Sequence, residues 1–320
     1  MIEIVALSDA MREAVGLAER VATTDANVLV TGESGVGKDA LAAFIHSRSP
    51  RTGQPLVTID CATLPADLLE AELFGYERGA FTGASEAKPG RLEAAHRGTL
   101  VLNEIAHLSL DAQAKLLRVI ENREFERLGG RRTIEVDARL IALTNADLKN
   151  AVERRAFRDD LFYRLNVVQI RVPPLRERGK DLEALSRTFA EMYAAKHGRA
   201  AKKVSAEARR FLLAYDFPGN VRELANIIER AIIISAGAEI EANDLPESMR
   251  VAAGRLERKD RRPTLVQVED EYIRETLAAV KGNKAEAARI LGISRKNLYE
   301  RLARMEGKDE GGRMKDEGES

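Results

Sequence analysis

The chain has 320 residues, and 51 Lys+Arg balance 51 Asp+Glu to give a formal net charge of zero. Apolar residues at 44% and charged residues at 32% are an ordinary balance for a soluble globular protein with a real core. A single cysteine, Cys61, excludes a disulfide scaffold and a Cys-rich zinc site; no apolar run approaches the ~20 residues of a membrane helix, and the charged N-terminus is no signal peptide.

Short apolar runs alternate with helical patterns through the first half. Strands are predicted at 28–31, 56–59, 99–102, 138–144 and 167–172, and helices at 39–47, 66–73 and 109–121. That alternation predicts an α/β fold, a parallel sheet with helices on both faces. Pro173-Pro174 ends the pattern. Residues 181–195, 205–214 and 219–235 then read as helices only, forming an all-α subdomain. The expected domains are 1–173 (α/β), 174–248 (helical), 249–264 (linker), 265–305 (a compact module) and 306–320 (a disordered tail).

Between the first strand and the first helix stands Gly32-Glu33-Ser34-Gly35-Val36-Gly37-Lys38, which fits G-x-x-x-x-G-K in the context that motif requires. Its glycines let backbone N–H groups close around phosphate at a helix N-terminus, and Lys38 would reach the terminal phosphates. Asp39 follows where Ser or Thr usually supplies a hydroxyl to Mg²⁺. Asn103-Glu104 ends the third strand, where a nucleoside triphosphatase places a metal-holding acid and then the group that polarises water. Asn103 can accept a hydrogen bond from a metal-bound water but brings no charge, so weak Mg²⁺ binding and slow hydrolysis are expected, with Glu104 as the base.

Residues 72–84 contain Glu-Leu-Phe-Gly and then Gly79-Ala80-Phe81-Thr82-Gly83-Ala84, an uninterrupted GAFTGA. In isolation this is a glycine-bounded loop around one Phe, which could be an exposed tip or be tucked into the core. Behind the phosphate loop it resembles the AAA+ activators of sigma-54 RNA polymerase, a likeness extending from the start of the chain to about residue 248. The resemblance implies an AAA+ P-loop ATPase with a helical lid, ATP and Mg²⁺ as cofactors, and a ring, a hexamer by analogy. It also implies contact of residues 79–84 with the sigma-54 polymerase holoenzyme.

Further positions carry over singly from the family. Asp39 stands where members usually have Glu, and with Asn103 marks the metal side. Asp60 stands where many have Asn, and with Glu104 would couple nucleotide to the loop. Asn145 matches the polar sensor after the fourth strand. Arg158 and Arg164 match the segment that supplies arginine fingers to a neighbouring subunit, although two such arginines alone would read as surface charges. Arg222, in Gly-Asn-Val-Arg-Glu-Leu, matches the second sensor.

From Lys281 to Met305 seven Lys/Arg face two Glu, a local charge of +5 in a neutral chain. The pattern there is a helix-turn-helix: Ala287, Ala288 and Leu291 make an apolar face, Gly292 suits the turn, and Ser294 caps the next helix. With Leu298 and Leu302 turned inward, Arg295, Lys296, Asn297, Tyr299 and Arg301 would face outward, joined by Lys284, as donors to phosphates and base edges of double-stranded DNA. This module resembles the Fis-type domain that ends most sigma-54 activators. With no Trp and only 5% aromatics, a stacking platform for single strands is disfavoured.

Because the ATPase pattern starts almost at Met1, control is expected from a regulatory protein in trans, from expression or from assembly, unless the chain is a piece of a longer one. The expected setting is the bacterial cytoplasm, with no membrane contact. Two functional readings stand: an ATP-driven activator, and a DNA-binding regulator or repressor that holds nucleotide but hydrolyses it poorly because of Asn103. A general AAA+ remodelling enzyme is disfavoured by GAFTGA and the helix-turn-helix.

Overall fold

The computed structural model describes residues 4–249, 265–280 and 282–313, in two compact units divided after Arg250. Five parallel strands form the central sheet of the first unit, in edge-to-edge order Leu56–Asp60, Thr99–Asn103, Arg139–Thr144, Val28–Thr31 and Val168–Arg171. Side chains alternate faces along each strand, and the apolar residues sort accordingly. Leu29, Leu100, Leu102, Leu140 and Ala142 enter one core with Leu73, Phe74, Leu116 and Leu161. Val28, Val30, Val101, Ile141 and Leu143 enter the other with Leu41 and Ile45. Both faces are thus covered, which is why Arg139–Thr144, the middle strand, is buried from end to end.

A first helix, Asp9–Ala22, is not among the expected elements. Its buried face is made of Met11, Ala14, Ala18, Val21 and Ala22, and small alanines leave only a faint apolar period. It is held at its C-terminal end by Arg139, which is almost wholly buried and donates to the carbonyls of Val21 and Ala22 at 2.8 and 3.0 Å. A guanidinium thus adds to the cap on the helix's last carbonyls, beside Thr24, whose N–H and hydroxyl also donate to Val21. Two small antiparallel hairpins are also unexpected, Gly75–Tyr76 with Lys88–Pro89 and Glu124–Glu126 with Thr133–Glu135, being too short to leave a period in the sequence.

The lid consists of Gly179–Lys196, Ala206–Leu213 and Asn220–Ile234 around Leu182, Phe217, Leu224, Ile228 and Ile232. The expectation of helices only is corrected by a two-residue parallel pairing, Lys203–Val204 with Glu239–Ile240. Met249 belongs to the lid core and not to a linker, because it is fully buried there. The rest of the expected linker lies outside the described residues. Asp181, also fully buried, accepts from the Ser8 N–H and hydroxyl, each at 2.8 Å, and so ties the lid to the N-terminal segment.

The second unit is three helices, Leu265–Ala279, Lys284–Ile290 and Arg295–Arg313, closed around Ile273, Ala287, Ala288 and Leu298. The last helix runs to Arg313, so residues 306–313 are helical where a disordered tail was expected; extending a formed helix avoids the cost of a new nucleus. Residues 314–320 of that tail lie outside the described residues. Among the described residues no helix is long and apolar enough to cross a membrane.

Candidate nucleotide site and DNA-reading helix

All five strands run the same way, so Thr31, Asn103 and Thr144 end on one edge of the sheet. The loop from Gly32 to Gly37 leaves that edge and opens the helix Lys38–Ser47. Lys38 is 5% exposed; its Nζ donates to the carbonyls of Gly32 (3.0 Å) and Glu33 (3.2 Å) and lies 3.7 Å from a Glu104 carboxylate oxygen. Burial pushes the Lys38 ammonium below the ordinary lysine value, and Glu104 opposes that push. Glu104 sits just past its strand at φ +52°, and its other oxygen accepts the Asn145 N–H at 3.2 Å. The sensor position thus meets Glu104 through its backbone, while the Asn145 side chain is exposed.

Asp60 and Asn103 are paired residues on neighbouring strands. The expected contact of Asp60 with Glu104 is replaced by one with Asn103, whose Nδ2 donates to Asp60 at 3.4 Å, while the Ala62 N–H donates to the other Asp60 oxygen at 2.9 Å. Two carboxylates repel, whereas an amide N–H can donate. Asp39 is exposed in the first turn of the phosphate-loop helix.

The lid clasps the loop from the other side. Arg222 donates to the Ser34 hydroxyl at 3.1 Å, and its N–H meets the Gly35 carbonyl at 3.3 Å. Here a glycine is required, since Gly35 has φ +78° and a Cβ on it would lie 2.4 Å from the Gly219 carbonyl oxygen. Three lid-side residues are not found by sequence reasoning. Arg176 grips Glu33 through two bonds of 2.6 and 2.9 Å. Asn220, fully buried, donates to Glu33 and to the Ser34 carbonyl and accepts the Leu175 N–H. Arg178 donates to the Val36 carbonyl at 2.9 Å. Asn220 stands beside Gly219 in a stretch already singled out, but Arg176 and Arg178 lie in what reads as an ordinary charged turn.

The Glu33 carboxyl is held at about 2, against an ordinary 4.5, by its bonds to Arg176 first and to Asn220 second. A depressed carboxyl contributes stability that is whole above the unfolded value and lost as pH falls through the folded one. We therefore expect the stability difference between the protein and Glu33→Gln to be constant above about pH 5 and to vanish toward pH 2. Solvent screening holds it to at most about 1 kcal/mol, and equilibrium unfolding at several pH values measures it.

Arg158, Arg164 and residues 79–84 are not brought to this cluster. Arg158 is engaged by Asp160 at 2.7 and 3.0 Å, and Arg164 by Glu121 at 3.0 Å, both in exposed pairs. The loop of residues 79–84 closes on itself through Gly79 N–H to the Ala84 carbonyl (2.8 Å) and Ala84 N–H to the Phe81 carbonyl (3.0 Å). Phe81 stays 41% exposed with its ring edge-on to Tyr76 at 4.9 Å, so it is neither tucked into the core nor free of support. The two short hairpins hold the loop's base, with Glu77 N–H bonded to the Leu128 carbonyl and Arg127 bridging Glu77 and Glu93.

In the second unit Gly292 has φ +66° at the turn, and the Ser294 hydroxyl accepts the Asn297 N–H at 3.2 Å. Lys284, Arg295, Lys296, Asn297 and Tyr299 are exposed, with the Lys284 ammonium 5.0 Å over the Tyr299 ring. Arg301 departs from the expected outward set: it pairs with Glu269 of the preceding helix and donates to Asn297 Oδ1 at 2.9 Å. A partly buried guanidinium one turn past the exposed donors finds a carboxylate within the unit before it finds solvent.

The sequence matches the family described as Sigma-54 interaction domain over residues 4–171, the AAA+ ATPase lid domain over 176–262, and the bacterial regulatory protein, Fis family, over 264–305. The chain belongs to the sigma-54-dependent AAA+ transcription activators. Within that family it is 44% identical over 309 residues to the transcriptional regulatory protein FlbD of Caulobacter vibrioides, covering 92% of this chain and 68% of the relative. It is 42% identical to the regulatory protein AtoC of Escherichia coli, covering 92% and 66%. The chain thus spans about two thirds of the length of these relatives. Among solved structures, NtrX from Brucella abortus in complex with ATP aligns with TM-score 0.72 and 35% identity over 94% of this chain and 68% of that one. The AAA+ ATPase and Fis-type DNA-binding modules of these activators are therefore both present in this chain.

Proposed function

We propose that the chain is a mechanochemical activator that binds an upstream DNA element, assembles into a ring, and uses ATP hydrolysis to remodel the sigma-54 polymerase through residues 79–84. The observation that carries this reading is the convergence of Lys38, Glu104 and Arg222 on one phosphate loop, in a unit that also presents a half-exposed Phe81 on a braced glycine loop. Lys38 and the loop N–H groups would bind the phosphates, Arg222 would report nucleotide to the lid, and Glu104 would take a proton from the attacking water. Arg158 or Arg164 of a neighbouring subunit would complete the site, consistent with their lying apart from the Glu104 cluster of their own subunit. Cytoplasmic localisation follows from these partners.

The residues fit Mg²⁺ as the cation that arrives with ATP. Asn103 Oδ1 is buried without a hydrogen-bond donor, and a water on a bound cation is such a donor. Among the described residues no group of three or more His, Cys, Asp or Glu could cage a metal, which matches an ion held chiefly by phosphate oxygens and water. When bound, the ion supplies charge neutralisation on the phosphate oxygens.

The test is the steady-state ATPase rate against protein concentration. A rate per subunit that climbs steeply supports assembly with arginines acting in trans. A flat, near-background rate sinks the motor and leaves the second reading, a nucleotide-loaded DNA-bound regulator. For the DNA module, Arg295→Ala and Lys296→Ala should each weaken binding, and each lost phosphate contact should lower the slope of log affinity against log salt by about 1. Fluorescence anisotropy with duplex DNA at several salt concentrations measures both.

A further inference from the structure

The charge missing at Asn103 has a counterpart one strand away. Asp60 and Asn103 are directly paired in register, and their side chains are joined by the Asn103 Nδ2 donation at 3.4 Å. An ionised carboxylate can only accept. Asp60 therefore dictates which end of the Asn103 amide faces it: the NH₂ group must turn toward Asp60, and Oδ1 must turn away. That oxygen is the one left buried with no partner. The remaining Asp60 oxygen is fixed by the Ala62 N–H at 2.9 Å, so the carboxylate is not free to rotate off the amide.

We propose that Asp60 is a positioning residue for the metal–nucleotide site: it orients the Asn103 carboxamide oxygen toward the metal-bound water and supplies, one hydrogen bond removed, the negative charge that Asn103 lacks. The strand pair thereby keeps one carboxylate and one carboxamide, with their order across the two strands opposite to the one the family resemblance led us to expect. This rests on the ATP and Mg²⁺ reading above. It also reverses a simple expectation. Asn103→Asp should not help by itself, because the new carboxylate would then face Asp60 across the strand pair with no N–H between them.

The readout is the Mg²⁺ enhancement of nucleotide affinity, the ratio of dissociation constants of a fluorescent ADP analogue in EDTA and in Mg²⁺, measured on the full chain. Asp60→Asn, which is isosteric, should lower that ratio about 10-fold, the usual size of effect for a group that orients a metal's ligands. Retained binding of the analogue in EDTA shows that the variant is folded. Asn103→Asp alone should also lower the ratio, because two carboxylates then face each other, and the exchange Asp60→Asn/Asn103→Asp should return it to within about 3-fold of the starting protein, since it again holds one acid and one amide. An unchanged ratio in Asp60→Asn overturns the inference, as does Asn103→Asp alone matching the exchange. If the unmodified chain binds no nucleotide in either buffer, the ATP reading itself falls and this inference with it.

Discussion

Glu104→Gln should leave nucleotide bound and cut ATP turnover by about 10²–10⁴-fold, the usual worth of a positioned general base. The amide keeps the shape of the carboxylate. It can still accept the Asn145 N–H that now fixes one oxygen at 3.2 Å. What it loses is basicity. It also loses the negative charge beside Lys38, whose ammonium is already disfavoured by burial. Nucleotide affinity should therefore change little or rise slightly, because a lysine freed of its internal partner is more available to phosphate. Single-turnover hydrolysis and equilibrium binding, measured on one preparation, separate the two effects. Turnover within about 3-fold of the unmodified rate would place the base elsewhere.

The second large effect is expected at a residue remote from this cluster. Arg164→Ala should lower turnover about 10³-fold or more if Arg164 is the finger offered to a neighbour. Its ionic partner among the described residues of its own subunit is Glu121, in a pair 60% and 40% exposed, so the fold should lose less than about 1 kcal/mol. Mixing decides whether the arginine acts across subunits. Arg164→Ala and Glu104→Gln proteins, each inactive, should regain activity together, because some junctions then join an intact Glu104 to an intact Arg164. An arginine serving its own subunit gives no such recovery. Running Arg158→Ala through the same mixture distinguishes the two candidates, since its bidentate hold on Asp160 is also an exposed pair.

The sheet was legible because its strands are apolar runs long enough to carry a signal, and their ends fell within a residue or so of the expectation. The helix Asp9–Ala22 was not, because alanines mark its buried face and the cation that caps it, Arg139, comes from a strand well over a hundred residues later. The hairpins that brace residues 79–84 are two or three residues long and exist through Arg127 and backbone bonds, which no local pattern encodes. In the candidate site the phosphate loop and Glu104 were readable from spacing. The Arg176 and Arg178 contacts were not, because a charged turn after two prolines reads as solvent-facing until the lid is folded over the loop. For Asp60 the family likeness points to Glu104, and strand register pairs it with Asn103.

The backbone at Glu104 has a thermodynamic consequence of its own. A non-glycine residue in the left-handed region costs of order 1 kcal/mol, and here it bears the carboxylate proposed as the base. Glycine at that position would escape the steric cost, but it loses more entropy on folding and leaves the Lys38 ammonium and the Asn145 N–H without their carboxylate, so the fold would be less stable than before. Chain stability therefore favours the acid at residue 104 in spite of its backbone. Replacement there is expected to weaken the fold and, with Glu104 as the proposed base, to stop hydrolysis as well, so the two effects are separated only by a substitution that keeps the shape of the side chain.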